Sequence, residues 1–185
     1  MDKVDLNLLR EIADLESTQQ GAYNIRKNGK LEGRASSANI VIETKTDKPG
    51  IDIRIAPGTK NESVHIPVIL TETGLNDMVY NDFFVGEGAD VVIVAGCGIH
   101  NGGCATSQHD GIHTFYLGKG SRVRYVEKHY GEGPGTGARI LNPQTILFLE
   151  EGASATLETV QIRGVDDTKR YTKAECNGEN SEIVI

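Results

Sequence analysis

The sequence is poor in aromatic residues and cysteines and has no long apolar run. Of its 185 residues, none is tryptophan, 5% are aromatic and three are cysteines. Without an apolar run of about 18 residues it cannot form a membrane-spanning helix, and its first residues lack the apolar core of a signal peptide. Three cysteines, an odd number, fit free thiols in a reducing compartment better than a disulfide framework. The net charge of −7 gives no electrostatic reason to bind nucleic acid or anionic membranes. We therefore expect a cytoplasmic protein that binds neither.

One segment has the apolar spacing of a helix. Val4, Leu8, Ile12 and Leu15 recur at intervals that place them on one helical face. This pattern predicts an N-terminal helix within residues 1–20, separate from a core of residues 21–185. We expect the helix to cover an end of that core; docking a partner is the alternative.

The rest of the chain favours short β-strands separated by tight turns. Its 22 glycines and its Pro-Gly pairs indicate many turns. The predicted strands are enriched in β-branched residues: 40–42, 51–55, 64–70, 78–85, 91–94, 114–117, 123–126, 145–149, 156–162 and 183–185.

A repeat of 32 residues orders these strands. Gly88, Gly120 and Gly152 are spaced by 32 residues, and each lies in a turn that follows an apolar residue and precedes a small or apolar one. The turn around Gly58 is a degenerate fourth copy. A fixed period in this range, with strands and no helix in each copy, indicates stacked β coils, that is, an all-β solenoid. We expect the glycines to form a column of turns along one edge, and the terminal strand 183–185 to need a cover from another chain or from a longer protein.

Residues 96–113 carry most of the candidate chemistry. This glycine-rich segment predicts an exposed loop, and it gathers two cysteines and three histidines: Cys97, His100, Cys104, His109 and His113. Thiolates and imidazoles bind zinc, iron and iron–sulfur centres, although the spacing does not match a zinc knuckle. A structural loop with locally bonded histidines is the equal alternative. Cys97 and His113 rank first because they adjoin predicted strands.

Outside this segment the candidates are weaker. His65 is expected to be a satisfied edge or core histidine, and Cys176 a buried or half-buried thiol. His129 precedes a glycine-rich stretch that lacks the lysine of a phosphate-binding loop and predicts a mobile loop. The run 166–170 predicts a solvated turn.

Several motifs along the chain resemble the SufB/SufD family. They are the segments 21–26 and 28–30, the strand 64–68, and the Gly96-Cys97 and His100-Asn101 pairs. The resemblance implies a right-handed parallel β-helix and a role as a scaffold for iron–sulfur cluster assembly, with a transient cluster or iron as cargo. It also implies that Cys97 matches the family's core cysteine and that His113 lies near a histidine following it. Cys104 lies in an insertion.

The resemblance also implies partners. These are a SufC-type ATPase, bound through C-terminal helices that this sequence lacks, a second SufB/SufD-like chain, and apo-proteins that accept the cluster. We therefore expect the sequence to be a fragment with no catalysis of its own.

Two other functions stay open from the residues alone. A metal-dependent solenoid or cupin-like enzyme would need histidines and carboxylates that project from neighbouring strands into a cavity, rather than histidines confined to one loop. A purely structural module would retain its activity without any cysteine.

Overall fold

The computed structural model describes residues 1–13 and 21–185, which form one helix and fourteen strands. They are α1 (Lys3–Ala13), β1 (Gly21–Lys27), β2 (Lys30–Ala35), β3 (Ile40–Thr44), β4 (Gly50–Ile55), β5 (Lys60–Leu70), β6 (Asn76–Val85), β7 (Asp90–His100), β8 (Ser107–Leu117), β9 (Arg122–Glu132), β10 (Arg139–Leu141), β11 (Gln144–Leu149), β12 (Ser154–Arg163), β13 (Tyr171–Cys176) and β14 (Glu182–Val184). All ten predicted strands are present, and β1, β2, β10 and β13 were not predicted.

The strands form two facing sheets that the chain visits in turn. Sheet A has the order β14-β12-β9-β7-β5-β1-β2, and sheet B has the order β13-β11-β8-β6-β4-β3. The β1–β2 and β3–β4 pairs are antiparallel, while the pairs that stack successive coils, such as β7–β9 and β6–β8, are parallel. The chain is a β-solenoid with an N-terminal helix, which confirms the predicted fold class.

The repeated glycines form the expected column of turns. Gly58, Gly88, Gly120 and Gly152 all have φ between 61° and 69°, a region that favours glycine because it has no Cβ. Each glycine N–H donates to a carbonyl of the following coil, as from Gly88 to Lys119 at 2.9 Å. The degenerate copy at Gly58 takes the same position in the column.

Alternate residues of each strand point into the solenoid, and most of them are apolar. The main cluster packs between the two sheets around Phe83, Phe115 and Ile93. A smaller cluster around Val68, Ile99 and Leu141 lies further along the strands of sheet A. Buried polar side chains lie where the two clusters meet, and together with members of both clusters they form the site described below.

The helix packs on the outer side of sheet A. Leu8 and Ile12 are fully buried there, and they lie against Gly96 and Gly98 of β7. A Cβ on Gly96 would come within 2.3 Å of the Ile12 carbonyl oxygen, so the helix reaches the sheet because this position is glycine. The helix thus covers a side of the solenoid, whereas we expected it to cover an end. It packs on this side because two glycines of β7 have no side chains that would keep it away from the sheet.

The start of the helix is fixed by two acidic residues. The Asp5 N–H donates to the Asp2 carboxylate at 3.0 Å, the Asp2 N–H donates to the Asp5 carboxylate at 2.8 Å, and Lys27 pairs with buried Asp5 at 2.6 Å. The rest of the predicted helical segment, residues 14–20, lies outside the described residues. Across residues 1–13 and 21–185, no helix is long and apolar enough to cross a membrane.

Candidate functional site

The segment 96–113 is not the exposed loop that its glycines suggested. β7 continues to His100 and β8 begins at Ser107, so that only residues 101–106 connect the two strands. Within β7 and β8 the side chains alternate, and this alternation places Cys97, His109 and His113 inside the solenoid, each less than 9% exposed. Three of the five predicted site residues therefore share the interior.

The other two predicted residues lie outside this interior. His100 is partly exposed, and its Nδ1 lies 3.3 Å from a carboxylate oxygen of Glu132. Cys104 is an exposed free thiol in the connecting loop. The structure does not bring either of them to Cys97, and their roles as metal ligands stay predictions.

The connecting loop is held in place by buried Asn101. Its side-chain amide donates to the carbonyls of Ala105 and Gly137, and its carbonyl oxygen accepts from Thr73. The glycine-rich stretch after His129 lies in the next coil and donates from Gly135 and Gly137 to this loop. The prediction that this stretch is a mobile loop was wrong, because it stacks in the solenoid.

His109 belongs to a buried chain of charges. Its Nδ1 lies 3.0 Å from Asp77, and Asp77 accepts two hydrogen bonds from Arg26 at 2.8 and 3.2 Å. Burial raises the pKa of Asp77, but the hydrogen bonds and charges of His109 and Arg26 outweigh it and hold this pKa well below the usual value. The contact between Nδ1 and Asp77 orients the imidazole, and Nε2 lies toward Gly111, 3.3 Å from the position that a Cβ there would take.

His113 is enclosed and fully hydrogen-bonded. Its Nδ1 lies 2.6 Å from the Tyr125 hydroxyl, and its Nε2 accepts from the Asn81 amide at 3.3 Å. The Asn81 orientation is fixed because its oxygen accepts from the Ile51 N–H. Burial lowers the pKa of His113 to about 4. The imidazole is therefore neutral at pH 7, and its two nitrogens are already occupied.

A second buried carboxylate, Glu127, bridges a histidine and an arginine. One oxygen lies 3.1 Å from Nε2 of His129, and the other accepts from Arg170 at 2.7 Å. Burial raises the pKa of Glu127, yet the hydrogen bond from His129 and the charges of His129 and Arg170 bring it down to about 2. Arg170, expected in a solvated turn, instead reaches inward because a buried carboxylate needs a cation.

Cys97 lies beside His129 in the adjacent strand. The two residues are paired in the parallel register of β7 and β9, and both point inward. Burial, and then the negative charges of Asp77 and Glu127, raise the pKa of the Cys97 thiol well above its usual value. The Nδ1 of His129 is buried and has no hydrogen-bond partner. This nitrogen makes no hydrogen bond to Cys97 in the structure, but it belongs to the residue in register with Cys97, and a thiol needs a base to become a nucleophile or a ligand.

These side chains surround one small cavity, which we call the polar chamber. Its volume is about 20 Å³, and its lining includes Cys97, His109, His113, Glu127 and His129. Such a volume holds about one water molecule. Among the described residues, no three His, Cys, Asp or Glu side chains are grouped closely enough to hold a metal ion. The chamber can thus accept about one atom beside Cys97, but its own side chains do not form a complete metal site.

Sequence reasoning missed several residues of the chamber, although the repeat contained a signal for most of them. Adding one 32-residue period to Asp77, Asn81 and Cys97 gives His109, His113 and His129, and each of these pairs is in register in the sheets. Arg170 has no such signal, because it reaches Glu127 from the segment that follows β12.

Of the two remaining sequence candidates, one lies in the expected environment and the other does not. His65 is buried and bonds to the Ala13 carbonyl and the Ser63 hydroxyl, which confirms a satisfied structural histidine. Cys176 is exposed rather than buried, because β13 is an outer strand of sheet B. It lies outside the polar chamber.

One curated relative is similar over most of the chain. A protein of Methanothermobacter thermautotrophicus, described as an iron–sulfur cluster assembly SufBD family protein, is 22% identical over 144 residues. The chain is similar to a SufBD protein. The match covers 77% of this chain and 34% of the relative, so the chain spans about a third of the relative's length. No family model and no solved structure matches the chain. The similarity supports a SufB/SufD-like family at most.

Proposed function

We propose that this chain is a scaffold for iron–sulfur cluster assembly that works with a SufC-type ATPase. The observation that carries the proposal is the similarity to the SufBD relative over 144 residues, 77% of this chain. The ATPase supplies the energy, and apo-proteins receive the cluster. A second SufB/SufD-like chain completes the assembly.

Cys97 is the thiol that handles the components of the cluster. It is the buried cysteine among the three free thiols of the described residues. His129 takes the thiol proton on Nδ1, and Glu127 holds the resulting imidazolium in place. The chamber fits a single sulfur or iron atom, and it must widen before it can hold a complete cluster.

An enzyme with a metal-dependent active site is the second candidate. The chamber meets the condition that this hypothesis sets, because histidines and carboxylates project from neighbouring strands into a cavity. A volume of about 20 Å³, however, leaves no room for an organic substrate. The scaffold is therefore favoured.

The proposal is tested by anaerobic loading of the chain with ferrous iron and sulfide. After desalting, bound iron and the visible thiolate-to-iron absorption band are measured, and an apo-ferredoxin is then added as acceptor. We expect the unaltered chain and Cys104→Ser to bind iron and to transfer a cluster to the apo-ferredoxin. Cys97→Ser should lose most of the band, because thiolates are the preferred ligands of iron–sulfur centres.

Circular dichroism and thermal unfolding show whether each variant is folded, and Cys97→Ala provides a second folded control. Equal absorption bands in the unaltered chain and in folded Cys97→Ser would contradict the role of Cys97. An unaltered chain that binds no iron and no sulfide would contradict the scaffold proposal.

A further inference from the structure

The outer face of sheet B carries a row of stacked aromatic side chains. Phe84, Tyr116 and Phe148 are neighbours in register across β6, β8 and β11. Their ring centroids are 5.1 and 5.4 Å apart, and the rings are nearly parallel. Arg54 lies over the Phe84 ring at 4.5 Å, and Glu175 follows Phe148 in the register of β13. We call these five residues the aromatic ladder.

The aromatic ladder faces outward on the side opposite α1. The helix packs on sheet A, while Tyr116 remains 41% exposed and Tyr171, further along the same face, 52% exposed. Half-buried Ile112 and Ile146 extend the apolar surface beside the ladder. An apolar patch of this kind on a sheet face marks an interaction surface.

The order of residues in the ladder is self-complementary in charge. It reads cation, ring, ring, ring, carboxylate along the solenoid axis. A twofold axis parallel to the strands and passing over Tyr116 would invert that order. Arg54 would then face Glu175 of a second copy, Phe84 would face Phe148, and Tyr116 would face itself. Such self-complementarity is what a twofold interface requires.

The face is just large enough for a specific dimer. Five strands at a spacing of about 4.8 Å and six residues at a rise of about 3.3 Å give roughly 480 Å² per copy. The total of roughly 1,000 Å² lies at the lower limit for specific interfaces. An interface at this limit predicts a reversible dimer.

We propose that two copies of this chain pair face to face through the aromatic ladder, with Tyr116 on the twofold axis and Arg54 of each copy bonded to Glu175 of the other. The pairing uses the outer face of sheet B and leaves both ends of the solenoid free. It does not involve the polar chamber, but it rests on the proposed function in one respect, since the second copy would be the second SufB/SufD-like chain named there.

The first test is the oligomeric state as a function of concentration. Sedimentation equilibrium of the full 185-residue chain, up to about 0.5 mM, should show a monomer–dimer equilibrium. Tyr116→Lys should weaken the dimer by at least about 100-fold, because it places two like charges opposite each other on the axis. Val160→Lys is the matched control: Val160 is also 41% exposed but lies on the outer face of sheet A. It should leave the dimer unchanged.

The second test exchanges the charges at the ends of the ladder. Arg54→Glu and Glu175→Arg should each weaken the dimer about tenfold or more, and the double variant should recover most of that loss. In one copy the two residues lie four strands apart. Within one copy, each substituted residue has the same neighbours in the single and the double variant. Recovery of dimer affinity in the double variant therefore indicates contact between Arg54 of one copy and Glu175 of the other. Thermal unfolding checks that each variant is folded.

Three outcomes would overturn the proposal. A chain that stays monomeric at about 0.5 mM would assign the ladder to a different occupant, such as another protein. Equal weakening by Tyr116→Lys and Val160→Lys would place the dimer contact elsewhere. A double charge variant no better than the single ones would exclude the twofold arrangement.

Discussion

At the scale of residues, the interior of the solenoid holds two carboxylates that are each fully compensated. Asp77 is paired with Arg26 and His109, and Glu127 with Arg170 and His129. Replacing buried ion pairs with apolar residues is often neutral or stabilising, so stability alone does not explain two of them around one cavity. Both carboxylates lie close enough to the buried Cys97 thiol for their charges to raise its pKa.

His113 should make the stability of the chain depend on pH. Its pKa is lowered from 6.5 to about 4 in the fold, so below pH 6.5 the unfolded chain binds a proton that the folded chain does not. The free energy of unfolding should therefore fall on acidification, by about 2 kcal/mol between pH 7 and pH 5. Glu127, with a pKa lowered to about 2, loses its contribution only below pH 4.5 and does not account for this window.

Urea unfolding at pH 7 and pH 5 measures this effect. His113→Asn should have a lower free energy of unfolding than the unaltered chain at pH 7. Its free energy of unfolding should also fall much less between pH 7 and pH 5. His100→Asn, outside the chamber, is the control and should retain that dependence. A pH dependence that is the same in His113→Asn as in the unaltered chain would show that other groups cause it.

At the scale of elements, β7 and β8 show why the sequence pattern predicted a loop where the structure has two strands. Glycines suggested a loop, but Gly96 and Gly98 make room for α1 on the outside of β7. Inside β8, a Cβ at Gly111 would lie 3.2 Å from His113 and 3.3 Å from His109. These glycines lie inside strands and leave space for a neighbouring helix or side chain to pack closely. A glycine that serves close packing cannot be told from a glycine in a turn by the sequence pattern alone.

A methyl group at Gly96 should loosen the helix. Gly96→Ala would place Cβ against the Ile12 backbone, so α1 must shift, and overpacking of this kind costs about 1–3 kcal/mol. Amide hydrogen exchange should increase in residues 3–13, and the free energy of unfolding should decrease. Gly102→Ala is the control, because its nearest neighbour would be His100 at 3.9 Å. Unchanged exchange in Gly96→Ala would mean that α1 is not seated on β7 as described.

The 32-residue repeat made the strands and turns of the solenoid predictable, but it identified only some of the residues around the polar chamber. The turns at Gly88, Gly120 and Gly152 repeat because every coil needs the same φ at the same edge. Histidine and carboxylate partners come from different coils, and the sequence shows them only once the coils are aligned at 32 residues. The hydrogen bond from Arg170 to Glu127 could not be predicted, because it crosses outside the register of the sheets.

At the scale of the whole molecule, stacking converts a linear repeat into columns of facing side chains. Apolar clusters lie on both sides of the polar chamber. In this buried position the negative charges of Asp77 and Glu127 raise the pKa of Cys97 more strongly than they would in water. The same stacking produces the aromatic ladder on the outer face. One architecture thus gives an internal site and an external surface that do not compete.

The proposal depends most directly on whether Cys97 reacts as a nucleophile, although burial and the charges of Asp77 and Glu127 raise the pKa of its thiol. The direct measurement is the intact mass of the chain after anaerobic incubation with inorganic polysulfide, in a Cys104→Ser/Cys176→Ser background that leaves Cys97 as its one cysteine. The Cys97 thiolate would attack a sulfane sulfur, break one S–S bond and release a polysulfide that is one sulfur shorter.

The account predicts a gain of one sulfur atom, reversed by a reductant, absent in Cys97→Ser and several-fold slower in His129→Asn, which lacks the base. No gain of mass in the folded background protein, or an equal rate in folded His129→Asn, would contradict it.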